Sequence, residues 1–296
     1  MHWLFSPFEV SFVRQALWGG ILVSLICALA GTWVVLRGLA FLGDAMAHGM
    51  LPGVALASAL GGDVLLGAAL SAGAMAAGVT ALGASSSPSG SSRLSHDTSV
   101  GILFAGMLAL GVIVVSHSRS FAVDLTGFLF GDVLAVRQRD LLWLATALLV
   151  ATAVAALGHR AFVALAFDPR VAHTLGLRPR IAHAVLLGLV TLAVVASFHV
   201  VGTLLVFALL VAPPAAAALW ARRIPTIMVG ASLIGVGATA AGLFLSWHLG
   251  TAAGATIAAV AVCAFFVSAG ATLTARPAGL LGRLRTGAAS EMERPS

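Results

Sequence analysis

Apolar residues run along this chain in long unbroken blocks and do not alternate with polar ones. The blocks cover roughly 16–36, 45–61, 64–84, 98–116, 140–158, 181–198, 200–219, 226–247 and 251–274. Most are near the length a helix needs to cross a hydrocarbon core, about 20 residues. Each approaches uniform hydrophobicity instead of a single apolar stripe, which predicts buried spans and not amphipathic surface helices. Several are dense in Gly and Ala, as in GAALSAGAMAAG at 67–78. Small residues let membrane helices approach closely. The predicted fold class is all-α: a polytopic integral membrane protein with eight or nine transmembrane helices.

The breaks between the blocks divide the chain further. Residues 1–14 mix aromatics with Glu9 and Arg14 and read as an interfacial N-terminal segment. Residues 15–275 form the membrane domain, and 276–296 a polar cytoplasmic tail. The stretch 85–92, SSSPSGSS, reads as a flexible loop. Residues 121–136 are apolar but short and hold two Asp, so they read as a half-helix or re-entrant piece, and their crossing of the membrane stays open.

Composition narrows the class. Of 296 residues, 60% are hydrophobic and 9% charged, with a mean hydropathy of +1.07. Soluble domains carry about 25% charge, and disorder needs low hydrophobicity, so a soluble, disordered or nucleic-acid-binding chain is excluded. All 16 basic residues are Arg. Without Lys there is no phosphate-binding loop of the G-x-x-x-x-G-K-[ST] kind, so any nucleotide that powers the protein sits on another chain. Cys27 and Cys263 lie in apolar runs and form neither a disulfide framework nor a C-x-x-C pair. The first Arg follows Glu9, so the N-terminus lacks the basic region of a cleaved signal peptide. Arginines cluster at 160–180, at Arg222 and Arg223, and at 276–294. These segments belong on the cytoplasmic side by the positive-inside rule. Arg137 and Arg139 then fall outside, against the rule.

Five constellations are candidates for chemistry. Asp44 and His48 stand four residues apart near the start of an apolar span, so a helix puts them on one face. Carboxylate plus imidazole suits Zn²⁺ or Mn²⁺, whereas Cu(I) favours thiolate or thioether. Pro52 has no N–H for the carbonyl of His48, which leaves that carbonyl for water or an ion. The competing reading is an N-cap Asp with a His bonded to a neighbouring helix. Ser95-His96-Asp97-Thr98 reads as a helix cap. Asp124 and Asp132 flank two glycines and read as caps and turns before ligands. Asp168 as N-cap, Pro169 as first residue and Gly176 as stop mark a short helix inside a cytoplasmic loop. His199 precedes Val200-Val201-Gly202 and the Pro213-Pro214 pair, whose prolines predict a broken or kinked helix. Hydrolytic motifs such as H-E-x-x-H and G-x-S-x-G are missing from the sequence.

Five blocks taken together carry a resemblance: LGDAMAHGMLPGVALA at 42–57, HDTSVGILFAGMLALGVIVVS at 96–116, DLTGFLFGDVLAV at 124–136, AFDPRVAHTLGL at 166–177 and VVGTLLVFALLVAPPAAAALWARR at 200–223. Their order and content resemble the membrane permease of metal-ion (zinc, manganese, iron) ABC transporters over about 12–275. The resemblance implies a homodimeric permease in the bacterial cytoplasmic membrane, surrounded by lipid and served by a separate cytoplasmic ABC ATPase subunit and an extracytoplasmic metal-binding protein. It implies no catalysis on this chain and no intrinsic cofactor, only the transported Zn or Mn ion. Asp44 and His48 would sit in the translocation path, with His199 a weaker candidate. Phe167, Asp168, Pro169, Arg170, Leu175 and Gly176 would form the helix that couples to the ATPase. His96 departs from the family pattern and is not carried over as a ligand. The alternative reading is an ion-coupled secondary metal transporter that works without an ATPase.

Overall fold

The computed structural model describes residues 10–84, 96–117, 131, 133–167 and 179–275. They form nine helices: α1 Ser11–Leu36, α2 Ala40–Gly49, α3 Leu51–Ala59, α4 Val64–Ala84, α5 His96–His117, α6 Gln138–Phe167, α7 Pro179–Trp220, α8 Ile224–Leu249 and α9 Ala253–Ala275. A short 3-10 turn, Val133–Ala135, precedes α6. Eight stretches are long and apolar enough to cross a membrane among the described residues, with α2 and α3 together making one of them. Helix α1 begins at Ser11, inside the segment read as interfacial. The tail 276–296 lies outside the described residues, as do most of 1–14 and of 121–136.

Helices α1 and α7 form the centre, with 67% and 72% of their apolar windows buried against 17% for α5 and α9. Contacts along α1 fix the direction of everything else. Ser24 Oγ lies 2.9 Å from Thr239 Oγ1, and Ala28 packs with Ile227 and Ala231, so α8 runs antiparallel to α1. Phe12 meets Trp247 at the opposite end, with ring centroids 6.3 Å apart. The two ends of the bundle are therefore a Trp247 end, holding the start of α1, and an Arg223 end, holding the start of α8.

Helix α7 is two limbs. Val200 approaches Gly19, while the Arg37 guanidinium donates to His183 Nδ1 at 3.0 Å, so the first limb runs antiparallel to α1. Val206 then meets Cys27, and Leu210 and Pro214 meet Gly31, so the second limb runs parallel to it. The chain reverses at Gly202, whose φ of 73° and ψ of 165° lie outside any helix. This corrects the expectation placed on Pro213 and Pro214. Both stay inside the helix, and the break falls in the preceding turns, at a glycine. A residue with a Cβ rarely adopts positive φ, whereas proline removes one hydrogen bond that a close neighbour can offset.

Close backbone contact replaces side-chain bulk where α3 crosses α4. A Cβ on Gly53 would overlap the Gly67 carbonyl, and one on Gly67 the Gly53 carbonyl. Helices α3 and α4 thus touch main chain to main chain, as the small-residue run at 67–78 predicts. Large residues fill the rest. Trp33 is fully buried, its ring met edge-on by Phe162 at 5.3 Å and by His159 at 5.7 Å. That contact sets the inner end of α6 against α1 at the Arg223 end.

Candidate functional site

Helix α2 starts at Ala40 behind Leu39 and ends at Gly49, where a break separates it from α3. Its sequence packs nearly all the way round. From Phe41 to Met50 every residue is buried except Phe41, Asp44 and His48. Those three recur at spacings of three and four, the repeat of one helical face. The open face of α2 therefore carries both of its ionisable groups. His48 Nε2 lies 3.5 Å from Asp44 Oδ1, with the two side chains 29% and 33% exposed. At that distance the pair is in electrostatic contact and both donor atoms remain available.

The N-cap alternative does not hold. Asp44 stands a full turn inside the helix, and its side chain caps nothing there. His48 meets an aromatic ring from the neighbouring helix, not a polar group: Phe104 of α5 stands edge-on to it, centroids 5.9 Å apart. The same ring is edge-on to Phe41 at 5.8 Å. Phe104 thus braces both ends of the open face. Nothing in the sequence marks this pairing, because α5 is an apolar helix with several equivalent Phe and Leu positions.

The α2–α3 junction behind Pro52 is partly filled from within the protein. Met50 N–H points to the His48 carbonyl at the helix end, and the Ser71 hydroxyl donates to the Gly49 carbonyl at 2.7 Å. The Gly49 carbonyl is therefore satisfied within the protein, and the Asp44 and His48 side chains are the ionisable groups that the open face offers.

The other candidates lie elsewhere. His199 is exposed beside Phe198 and one residue from Val200, which is level with Gly19. Gly43 packs on Leu210, which is level with Gly31. The helical rise between those two levels of α1 is about 18 Å, so His199 does not join the Asp44 pair. Asp97 sits in the exposed first turn of α5, where a carboxylate suits the helix dipole. Phe167 is the last residue of α6. Asp168, Pro169, Arg170, Leu175 and Gly176, together with Ser95, Asp124 and Asp132, lie outside the described residues. The helices that flank 168–178 both end toward Arg223, since α6 arrives beside Trp33 and α7 departs beside Arg37. Burial lowers the affinity of the Arg37 guanidinium for its proton.

An apolar cleft of about 520 Å³ lies between the second limb of α7 and α9, lined by Phe207, Val211 and Cys263 among others. No ionisable carboxylate or imidazole lines it, so it does not extend the site. Cys27 and Cys263 are both free thiols. Among the described residues no group of three or more His, Cys, Asp or Glu side chains gathers closely enough to hold a metal. Among the described residues, the open face of α2 thus carries one carboxylate and one imidazole side by side.

The fold is that of a polytopic membrane bundle whose structural neighbours are transporter permeases. The chain is a member of the ABC 3 transport family, whose model matches residues 9–271. It is 37% identical over 263 residues to the manganese transport system membrane protein MntC of Halalkalibacterium halodurans, covering 87% of this chain and 88% of that one. It is 34% identical over 275 residues to the chelated iron transport system membrane protein YfeD of Yersinia pestis, covering 90% and 89%. Among solved structures it is similar to PsaBC from Streptococcus pneumoniae in complex with Fab, with a TM-score of 0.77, 30% identity, and coverage of 90% and 94%. The protein is thus a multi-span membrane permease of an ABC transporter.

Proposed function

We propose that this permease carries a divalent transition metal ion, manganese, iron or zinc, across the bacterial cytoplasmic membrane, and that Asp44 and His48 receive the ion in transit. The observation that carries the reading is the open face of α2, where the only unburied ionisable groups of the helix stand 3.5 Å apart. Relatives named for manganese and iron transport support the substrate class. Carboxylate oxygen and imidazole nitrogen suit these ions.

Two donors leave a divalent ion under-coordinated, and a partly exposed carboxylate in an apolar span is costly against lipid. Both facts favour a second copy of the chain facing α2 across a two-fold axis. Two copies would offer up to four side-chain ligands, and the partial exposure of each pair leaves the ion open to water and to release. Power comes from a separate ATPase chain, since this one has no Lys for a phosphate-binding loop. That ATPase would dock on residues 166–177 at the Arg223 end, which is the cytoplasmic end by its arginines. A metal-binding protein would deliver the ion at the Trp247 end.

The test is radiolabelled manganese uptake in cells that carry the full transporter. Asp44→Ala and His48→Ala should each abolish uptake while leaving membrane insertion intact. Wild-type uptake in both variants would refute the site. Uptake by the purified chain alone, in liposomes without ATP, would instead favour an ion-coupled secondary transporter, a reading the family membership makes the weaker.

A further inference from the structure

Three arginines among the described residues, Arg14, Arg137 and Arg139, stand against the positive-inside pattern at the Trp247 end. Helix α1 presents Arg14, Trp18 and Leu22 at four-residue intervals, which is one face. Trp18 and Leu22 line one wall of a groove of about 430 Å³, and Gln138, Leu141, Leu142 and Ala145 of α6 line the other. Arg14 stands one turn beyond Trp18, at the mouth. Gln138 is flanked in sequence by Arg137 and Arg139, and Val136 packs on Gly19 of α1, which brings that turn to the same mouth. All three arginines are exposed, and none has an ion-pair partner among the described residues. The nearby Asp140 carboxylate accepts the Arg137 backbone N–H at 2.9 Å, so it is engaged in starting α6. Among the described residues, three arginines at this end are thus accompanied by one carboxylate.

We propose that this groove binds an anionic glycerophospholipid, with one acyl chain between α1 and α6 and the phosphate on Arg14, Arg137 and Arg139. The groove wall below the mouth is apolar and faces outward from the bundle, where hydrocarbon is the solvent. Trp18 stands between the two regions, as an interfacial aromatic does. Guanidinium matches phosphate oxygens in geometry and charge. The occupant offsets the charge that the positive-inside rule disfavours at this end. A soluble acidic partner would use the arginines and leave the apolar groove unexplained. The inference rests only on the membrane embedding of α1 and α6, so it stands or falls separately from the Asp44 reading.

The experiment uses the full-length chain in phosphatidylcholine vesicles, with tryptophan fluorescence quenched by lipids brominated on their acyl chains. Brominated phosphatidylglycerol should quench at lower mole fraction than brominated phosphatidylcholine, by about five-fold for each arginine engaged. The variant with Arg14→Gln, Arg137→Gln and Arg139→Gln should lose that preference while quenching by phosphatidylcholine is unchanged, which shows it still folds in the bilayer. Trp18→Phe should remove most of the preferential quenching with the arginines intact. Equal quenching of the wild type by both lipids would overturn the proposal, as would a preference that survives the triple substitution. So would a triple variant that keeps its lipid preference but loses transport stimulated by a metal-loaded binding protein, since that assigns the arginines to a protein partner.

Discussion

The carbonyl oxygen of Leu210 occupies the space that a side chain would take at Gly31. Pro214 has no N–H for that carbonyl, and Gly31 lets it lie against the backbone of α1. The Leu210 side chain also touches Gly43, one residue from Asp44. A single residue of α7 thus joins the central helix to the helix that carries Asp44 and His48. Gly31→Ala should force α1 and α7 apart. Overpacking of this kind costs about 1–3 kcal/mol, and the clash is with backbone, which cannot rotate away. The expected outcome is a lower thermal midpoint in detergent, together with reduced uptake per folded molecule.

Gly202 and Gly188 make a contrasting pair on one helix. Gly202 turns the chain at φ 73° and ψ 165°, a conformation that costs other residues about 1–3 kcal/mol. Gly188 is exposed and helical, with nothing within 4 Å of an added Cβ. Gly202→Ala should lower the yield of folded protein sharply. Gly188→Ala should leave stability unchanged or raise it by about 0.4–1 kcal/mol. Size-exclusion profiles and thermal melts of the two variants read this difference directly.

Phe104 holds the His48 ring by an edge-to-face contact at 5.9 Å. Phe104→Ala should free the imidazole to leave Asp44 and weaken the pair as a two-donor face. Uptake at limiting manganese should fall several-fold, with a smaller effect at saturation, because the loss is in capturing the ion. Phe104→Leu, which restores bulk without the ring, should recover folding but only part of the uptake.

Ser24 and Thr239 share a buried hydrogen bond of 2.9 Å between α1 and α8. Such bonds between membrane helices couple by about 0.6 kcal/mol on average, and up to about 1.7. Thr239→Val should destabilise the protein by leaving the Ser24 hydroxyl unpaired. Adding Ser24→Ala should cost less than the sum of the single changes. Thermal unfolding of the four proteins in the cycle measures the coupling.

The helices were legible because hydropathy is a local property. Apolar runs of about 20 residues mark spans whatever packs on them; six of the nine runs match one described helix to within about five residues apart from the longer α6, and 45–61 is shared between α2 and α3. The remaining two merged into α7. The boundary drawn between those two runs, at 198–200, falls within a few residues of the reversal at Gly202, whereas the further break expected at Pro213 and Pro214 was misplaced because proline is a strong local signal. Asp44 and His48 were likewise legible, since four-residue spacing puts two side chains on one face of any helix.

What spacing could not supply was whether Asp44 caps its helix or stands on an open face of it. That depended on where α2 begins, on which of its faces stays open, and on Phe104 arriving from a helix some 60 residues away. The same holds for the three arginines at the Trp247 end. In sequence Arg137 and Arg139 were exceptions to a topological rule, and Arg14 was unrelated to them. Packing of α1 against α6 made them one mouth above one groove. The sequence alone determined that this is a polytopic membrane protein with a paired carboxylate and imidazole, because burial in lipid constrains every residue of a span separately. Only the tertiary structure decided which polar groups share a surface, because that depends on contacts between distant helices that no local pattern encodes.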